Sequence, residues 1–366
     1  MRFSSRQHLA AIIAALGLLT ALVSPAAAAE PLITPIASGL NAPRHLDVAP
    51  NGAIYVTESG IGGDECIEPA PDTTACFGTT GAVTRIWKGT QSRIVSGLPS
   101  LALSGETGND LIGPAGISVH GNGNIMVSLG EPDYRDLFAN TAAQDLGWLI
   151  KINPSGNWKA IADIGGYEFA NDPDGQGVDP NPFGVAASGN GAAVTDAGGN
   201  SLLWADRNGD VSLLATFGPV WTEPPFPGAP DPFPAQAVPT SVTVGPDGAY
   251  YVGLLTGFPF QVGASSIYRV VPGEAPSVYA TGLTNVIGVD FAPDGTLYAV
   301  EIAQNGLLAG LDGAVMAVAP GGGIAQPVVT QGLFAPGGIA VDGNGSMYVT
   351  TCGVCARGGG VVHIQL

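Results

Sequence analysis

One short pattern, repeated along the chain, limits what this sequence can fold into more than any other feature. Pro43–Glu58 reads PRHLDVAPNGAIYVTE, with Gly52 closing an Asn-Gly pair. Glycines following Asn or Asp recur at Gly123, Gly191, Gly248, Gly295 and Gly345. Nine positions before each stand Pro43, Pro114, Pro182, Pro239, Val286 and Pro336. Six before stand Leu46, Ile117, Val185, Val242, Val289 and Ile339; four before stand Val48, Val119, Ala187, Val244, Phe291 and Val341. Alternating apolar residues, a turn of this type and a second β-rich run such as Ile54-Tyr55-Val56 specify a hairpin. Six hairpins in one register specify a repeat architecture.

The closest glycines, Gly248 and Gly295, are 47 residues apart, near the roughly 40–50 residues of a four-stranded propeller blade. A third β-rich run follows each hairpin: Ala82–Trp87, Trp148–Ile152, Ser201–Ala205, Ser266–Val271, Ala314–Ala319 and Gly360–Ile364. A fourth follows at Arg93–Leu98, Ala160–Gly165, Val211–Phe217, Pro276–Leu283 and Pro327–Leu333. The sixth copy ends at Leu366 without its fourth run, and Ile33–Leu40 at the other end of the chain has the matching form. The expected fold is therefore all-β, a six-bladed β-propeller whose ring is closed by the N-terminal strand pairing with the C-terminal blade. Closure removes two exposed sheet edges.

Residues 1–29 read as a secretion signal: Arg2 and Arg6, the apolar run Leu9–Val23, then Ala27-Ala28-Ala29. Residues 30–366 form the propeller domain. Without Arg2 and Arg6 the chain keeps 10 basic residues against 30 acidic ones, which argues against nucleic acid and anionic membranes as partners. No second apolar run long enough to span a membrane follows. The reading is a secreted, extracellular or periplasmic monomer. Cys66, Cys76, Cys352 and Cys355 in an exported chain read as disulfides. Cys66–Cys76 is the favoured pair, with Cys352–Cys355 closed locally or cross-paired to the first loop. A four-thiolate zinc site is the alternative.

The tight hairpins line one plain face. Long insertions lie on the opposite side: Gly60–Gly81, Leu101–Gly113, Gly130–Gly147, Gly166–Asn181, Gly218–Val238 and Ala303–Gly313. Function commonly rides on such loops over a rigid scaffold, so the working face is expected there, at the channel mouth. The Pro-rich stretch Pro219–Pro234 is either a lid or a stiff surface wrap.

Seven positions before the hairpin glycine stand His45, Gly116, Gly184, Ser241, Gly288 and Gly338. His45 breaks a row of tiny residues, and Arg44 sits beside it. The pair either projects into the channel mouth to hold an anion, a carbonyl or a proton, or fills the axis as a packing tie. Asp47 and Asp290 occupy one register position, Glu58 and Glu301 another, and Asp196 falls one position before the latter. With Asn285 they complete a candidate channel-mouth set, of which Glu58, Asp290 and Glu301 are the candidate ligands for a divalent cation such as Ca²⁺. The loops add Asp64, Glu65, Glu68, Glu106, Asp110, Glu131, Asp133, Asp172, Asp174 and Asp179; Asn171–Gly175 has the look of a calcium loop without the EF-hand spacing. The only histidines after residue 29 are His45, His120 and His363, too few for a His-rich metal site. No G-x-S-x-G elbow, H-E-x-x-H helix or phosphate-cradling loop is present.

The repeated Pro-x-x-aliphatic-x-Val-x-x-Asn/Asp-Gly motif, followed by Ile/Leu-Tyr-Val, resembles NHL-type and SMP-30-like six-bladed propellers. The chain after residue 29 resembles more closely the ScyD/ScyE family of secreted bacterial propellers, most clearly in Ile36–Glu58 and in the GPAGISVHGNG run within Leu111–Ser128. That resemblance implies export and the propeller scaffold, and carries no substrate with it. SMP-30-like lactonases hold a divalent cation around the channel through Glu and Asn/Asp side chains. Two functions follow as expectations. One is an exported propeller binding a small molecule or extracellular protein at its loop-rich face. The other is a metal-dependent hydrolase or lactonase using Glu58, Asp290 and Glu301 as ligands and His45 as acid/base.

Overall fold

The computed structural model describes residues 30–105, 108–120 and 123–366; the secretion signal expected at 1–29, and Glu106, lie outside them. Pro31–Leu366 is one compact unit. It is a β-propeller in which each repeat becomes a mainly antiparallel sheet, the fourth taking Gly323–Ile324 as a parallel outer strand, and outside the third repeat the hairpins fall where the register put them. In the first repeat β1 (Leu32–Leu40) precedes β2 (Pro43–Val48) and β3 (Ile54–Glu58). The sheets of the second and third repeats run Pro114–His120 to Trp158–Asp163 and Pro182–Ser188 to Val211–Thr216. Those of the fourth and fifth run Pro239–Val244 to Ser277–Leu283 and Val286–Phe291 to Gln326–Val329. In the sixth, Ile339–Val341, Met347–Thr351 and Gly359–Gln365 are followed by β1, paired antiparallel from Leu32↔Gln365 to Leu40↔Gly359.

Apolar faces of neighbouring sheets interlock, so the core is a series of separate clusters. Val83, Leu98, Ile117 and Val127 join the first repeat to the second; Leu149, Ile164, Val194 and Leu203 join the second to the third. Leu40, Leu46, Val56, Ala340 and Val361 join the sixth repeat and β1 to the first. Hydroxyl side chains add a recurring tie near the axis. Thr57 Oγ1 donates to the Ala115 carbonyl, Ser128 Oγ to the Phe183 carbonyl, and Thr350 Oγ1 to the Arg44 carbonyl. The sixth-to-first junction thus uses the same bond as the first-to-second.

The third repeat departs from the sequence register. In the first repeat the chain turns through Ala49–Ala53 with Gly52 at φ 80°. In the third, Ser188 pairs directly with Gly191, and the left-handed residue is Gly189 at φ 52°. This shorter turn puts Asp196 opposite Pro182, as Glu58 is opposite Pro43 and Glu301 opposite Val286. The one-residue offset in the sequence therefore vanishes in space: the first, third and fifth repeats each carry an acid at one equivalent place.

The insertions of the first repeat are not loops. β4 (Glu65–Ala70), β5 (Thr73–Trp87), β6 (Thr90–Gly105) and β7 (Gly108–Ile112) form a long arm in which β5 and β6 stay paired from Thr74↔Ser104 to Trp87↔Thr90. Cys66–Cys76 staples β4 to β5, Cys352–Cys355 closes locally, and no free cysteine remains among the described residues. All four thiolates are thereby withdrawn from a zinc site. Gly166–Asn181 holds most of α1 (Ile164–Asn171), and the Pro-rich stretch carries a small hairpin, Val220–Thr222 with Phe233–Ala235. Among the described residues, no helix is long and apolar enough to cross a membrane.

Candidate functional site

The sequence-derived candidates separate into three places. At the axis, the tiny residues allow the first strands to touch. A Cβ on Gly338 would stand 2.9 Å from the Cα of His45, and one on Gly184 would stand 2.8 Å from the Cα of Ser241. His45 fills the space this leaves. Its Nε2 lies 2.8 Å from the Ile287 carbonyl, so that nitrogen carries the proton and donates it. Phe183 stands edge-on to its ring at 5.4 Å. Burial, with Arg44 nearby, lowers the His45 pKa to about 4 despite the Ile287 bond. Arg44 donates through Nη2 to the Leu111 carbonyl and to Asp110, and through Nε to Ser59. Both side chains of the pair are thus engaged with backbone carbonyls, Arg44 with Leu111 and His45 with Ile287. Arg44 also anchors the β6–β7 arm over the axis.

Asp47 and Asp290 face a cavity of about 200 Å³ on the other side of His45, lined also by Ser118, Ala187, Thr243 and Val244. Exposure of the first strands rises from buried Leu46 and Val289 to half-buried Asp47 and Asp290 toward the hairpins. The channel space therefore lies in its tight-hairpin half, away from the loop-rich side expected for this set. Asp47 accepts from the amides of Val48 and Val119, and Asp290 from those of Phe291 and Val341. Each acid thus ties its own repeat to the next. Burial raises Asp47 to about 7, against its amide bonds and with a contribution from Asp290; burial raises Asp290 to about 6.

Glu58, Asp196 and Glu301 share a third role. Each accepts a backbone N–H from the turn leading into its own repeat: Asn41, Asn181 and Thr284 respectively. Glu58 also receives Thr84 Oγ1 and both Nε and Nη2 of Arg93. Burial would raise its pKa, but Arg93, Thr84 and Asn41 together hold it below the usual range. Asn285 is taken up by the Leu255 carbonyl and the Leu307 amide in a left-handed backbone, φ 43°. Glu58, Asp290 and Glu301 do not come together as a ligand set.

The acids that do come together lie on the loop-rich face around the third repeat. Among the described residues, the one group of three metal-capable side chains with ligand atoms within 4.8 Å of one another is Glu168, Asp172 and Asp174. Glu168, on α1, is fully buried, and neither carboxylate oxygen has a hydrogen-bond partner. Burial pushes it up to about 7, with Asp196, Asp174, Asp172 and Asp179 adding to the shift. Asp196 Oδ2 is also buried without a partner, and burial lifts Asp196 to about 7. Beside them Glu131 is raised to about 8, first by burial and then by Asp110, Asp179, Asp133 and Asp196. Asp172, Asp174, Asp179 and Glu131 are legible in the sequence as loop acids, whereas Glu168 is not. Its signal was a lone acid in the apolar run Ile164–Ala170.

No family model matches the sequence, and no curated protein matches it. Solved structures of similar shape include a streptogramin B lyase, 14% identical over 92% of this chain and 98% of that one, TM-score 0.48. Virginiamycin B lyase from Staphylococcus aureus is 13% identical over 92% of this chain and 100% of that one, TM-score 0.49. A gluconolactonase from Xanthomonas campestris is 13% identical over 88% of this chain and 86% of that one, TM-score 0.45.

Proposed function

We propose that this chain is an exported six-bladed β-propeller of the ScyD/ScyE type, closed by β1, that binds a ligand through a positively charged group at its loop-rich face. Both disulfides fit an oxidising compartment, and the excess of acids fits a cationic ligand. A small molecule or a basic segment of an extracellular protein satisfies that chemistry, and a divalent cation is the cofactor the face accommodates. The observation that carries the reading is Glu131, held among Asp110, Asp133, Asp179 and Asp196. The cations nearest this field are already committed, Arg44 to Asp110 and Leu111 and Arg135 to Asp163. A cation arriving beside Glu131 favours the ionised carboxylate, so binding should tighten as pH rises toward about 8.

Calorimetric titration with spermidine tests this. The expected result is binding about tenfold tighter at pH 8 than at pH 6, with the difference reduced in Glu131→Gln to what Glu168 and Asp196, raised to about 7 on the same face, still contribute. No binding at either pH, or an unchanged profile in the variant, defeats the reading. Removing Leu32–Leu40 tests closure: a melting temperature that stays where it was counts against it.

A second reading, a cation-dependent hydrolase of lactones or esters, is favoured by the group Glu168, Asp172 and Asp174 on the same face. The ligands first expected for it are used elsewhere, and His45 is spent on Ile287. Turnover of a simple lactone that requires added Ca²⁺ or Mn²⁺ and is lost in Glu168→Gln would replace the binding reading with this one.

A further inference from the structure

We infer that Glu168, Asp172 and Asp174 form a seat for one calcium ion at the C-terminal end of α1. The inference deepens the cation-binding reading of the loop-rich face by naming an ion and its ligands. Glu168 carries the argument. A fully buried carboxylate with no donor on either oxygen is costly, and proteins resolve such groups by pairing or by metal coordination. No ion pair among the described residues reaches Glu168, Asp172, Asp174 or Asp196. Nor is there room for another protein group on one flank: a Cβ on Gly199 would stand 2.5 Å from Glu168 Oε2.

The chain around the seat is shaped by its own acids. Asp172 caps α1 in the left-handed region at φ 39°, with its amide on the Glu168 carbonyl, which ends the helix and turns the chain back. Asp172 Oδ1 accepts from the Gly177 amide, and Asp174 Oδ1 from the Gln176 amide. Asp174 Oδ2 is held by the side chains of Asn200 and Gln176. Ligand atoms drawn from both sides of the helix end thus meet within 4.8 Å. Magnesium keeps several of its waters and is seldom held by a cage of protein carboxylates, so three converging carboxylates suit calcium better. Carboxylate oxygens are hard donors, which suits calcium over softer transition metals. Asp196, the strongest charge neighbour of Glu168, deepens the field without entering the three-residue group.

The test is titration of chelator-stripped protein with CaCl₂, followed by calorimetry and by thermal melting. One ion per chain is expected, with a rise in melting temperature that millimolar MgCl₂ does not reproduce. Glu168→Gln, which keeps the shape and removes the charge, should weaken Ca²⁺ about a hundredfold. Asp174→Asn, in the half-buried loop, provides a second variant should the helix variant fail to fold, and should weaken it at least about tenfold. No calcium uptake by the parent chain, affinity unchanged in both variants, or several weak ions per chain overturns the seat. Spermidine binding that persists while calcium uptake is absent would sink this inference and leave the reading of the face intact.

Discussion

Glu58 in the first repeat and Glu301 in the fifth occupy the same place, opposite Pro43 and Val286, and cap the same turn. Around Glu58, β5 and β6 add Thr84 and Arg93, so the buried carboxylate stays ionised. Around Glu301 only the Thr284 amide is seen donating, and burial lifts its pKa to about 7. The repeat therefore dictates where an acid sits, while the neighbouring strands dictate its charge. Glu168 extends the contrast: equally buried, outside the repeat register, and with no donor at all.

The comparison is most severely strained by Arg93→Ala, which leaves Glu58 buried without its cation. The expected cost is about 2–4 kcal/mol, reduced from a fully buried pair because Arg93 is 44% exposed, and is read as a lower denaturation midpoint. The sign follows from its lowered pKa: the parent's stabilisation is present above the unfolded value near 4.5 and is lost as pH falls. Glu301→Gln should do the opposite. A raised folded pKa penalises the native state as pH climbs from about 4.5 to about 7, so the variant should gain about 1–3 kcal/mol at pH 8 and nothing near pH 4. Equal losses from the two substitutions would erase the distinction. The smallest effect is expected for Thr350→Val and Thr57→Val, each losing one tie between repeats at about 1 kcal/mol. A far larger loss at Thr350 would mean that the last-to-first junction is held differently from the others.

The strands were legible because the hairpin glycines fix register, and register fixes which face of each strand is buried. The arm of the first repeat was not, since β5 and β6 pair with each other beyond the blade and nothing in the Asn-Gly pattern marks that extension. His45 was found as an exception among tiny residues, yet whether it reaches solvent or a carbonyl across the axis depends on Ile287, 242 residues away. The acids were misgrouped for a related reason. Sequence spacing put Glu58, Asp290 and Glu301 in one channel, whereas alternation along Val286–Phe291 and the shared capping role of the two glutamates set them apart. Glu168 needed the third dimension altogether, because a loop acid looks solvated until the fold covers it.

The pairing of β1 with Gly359–Gln365 has a consequence in time. Wherever the chain folds, β1 has its neighbour at the opposite end of the sequence. Until the two ends meet, a nine-residue segment, Leu32–Leu40, has no strand partner. Such a long-separated contact makes the final step slow and leaves an open edge meanwhile. The interval before that last zip is when the outer edges of β1 and Gly359–Gln365 are most open to a wrong partner.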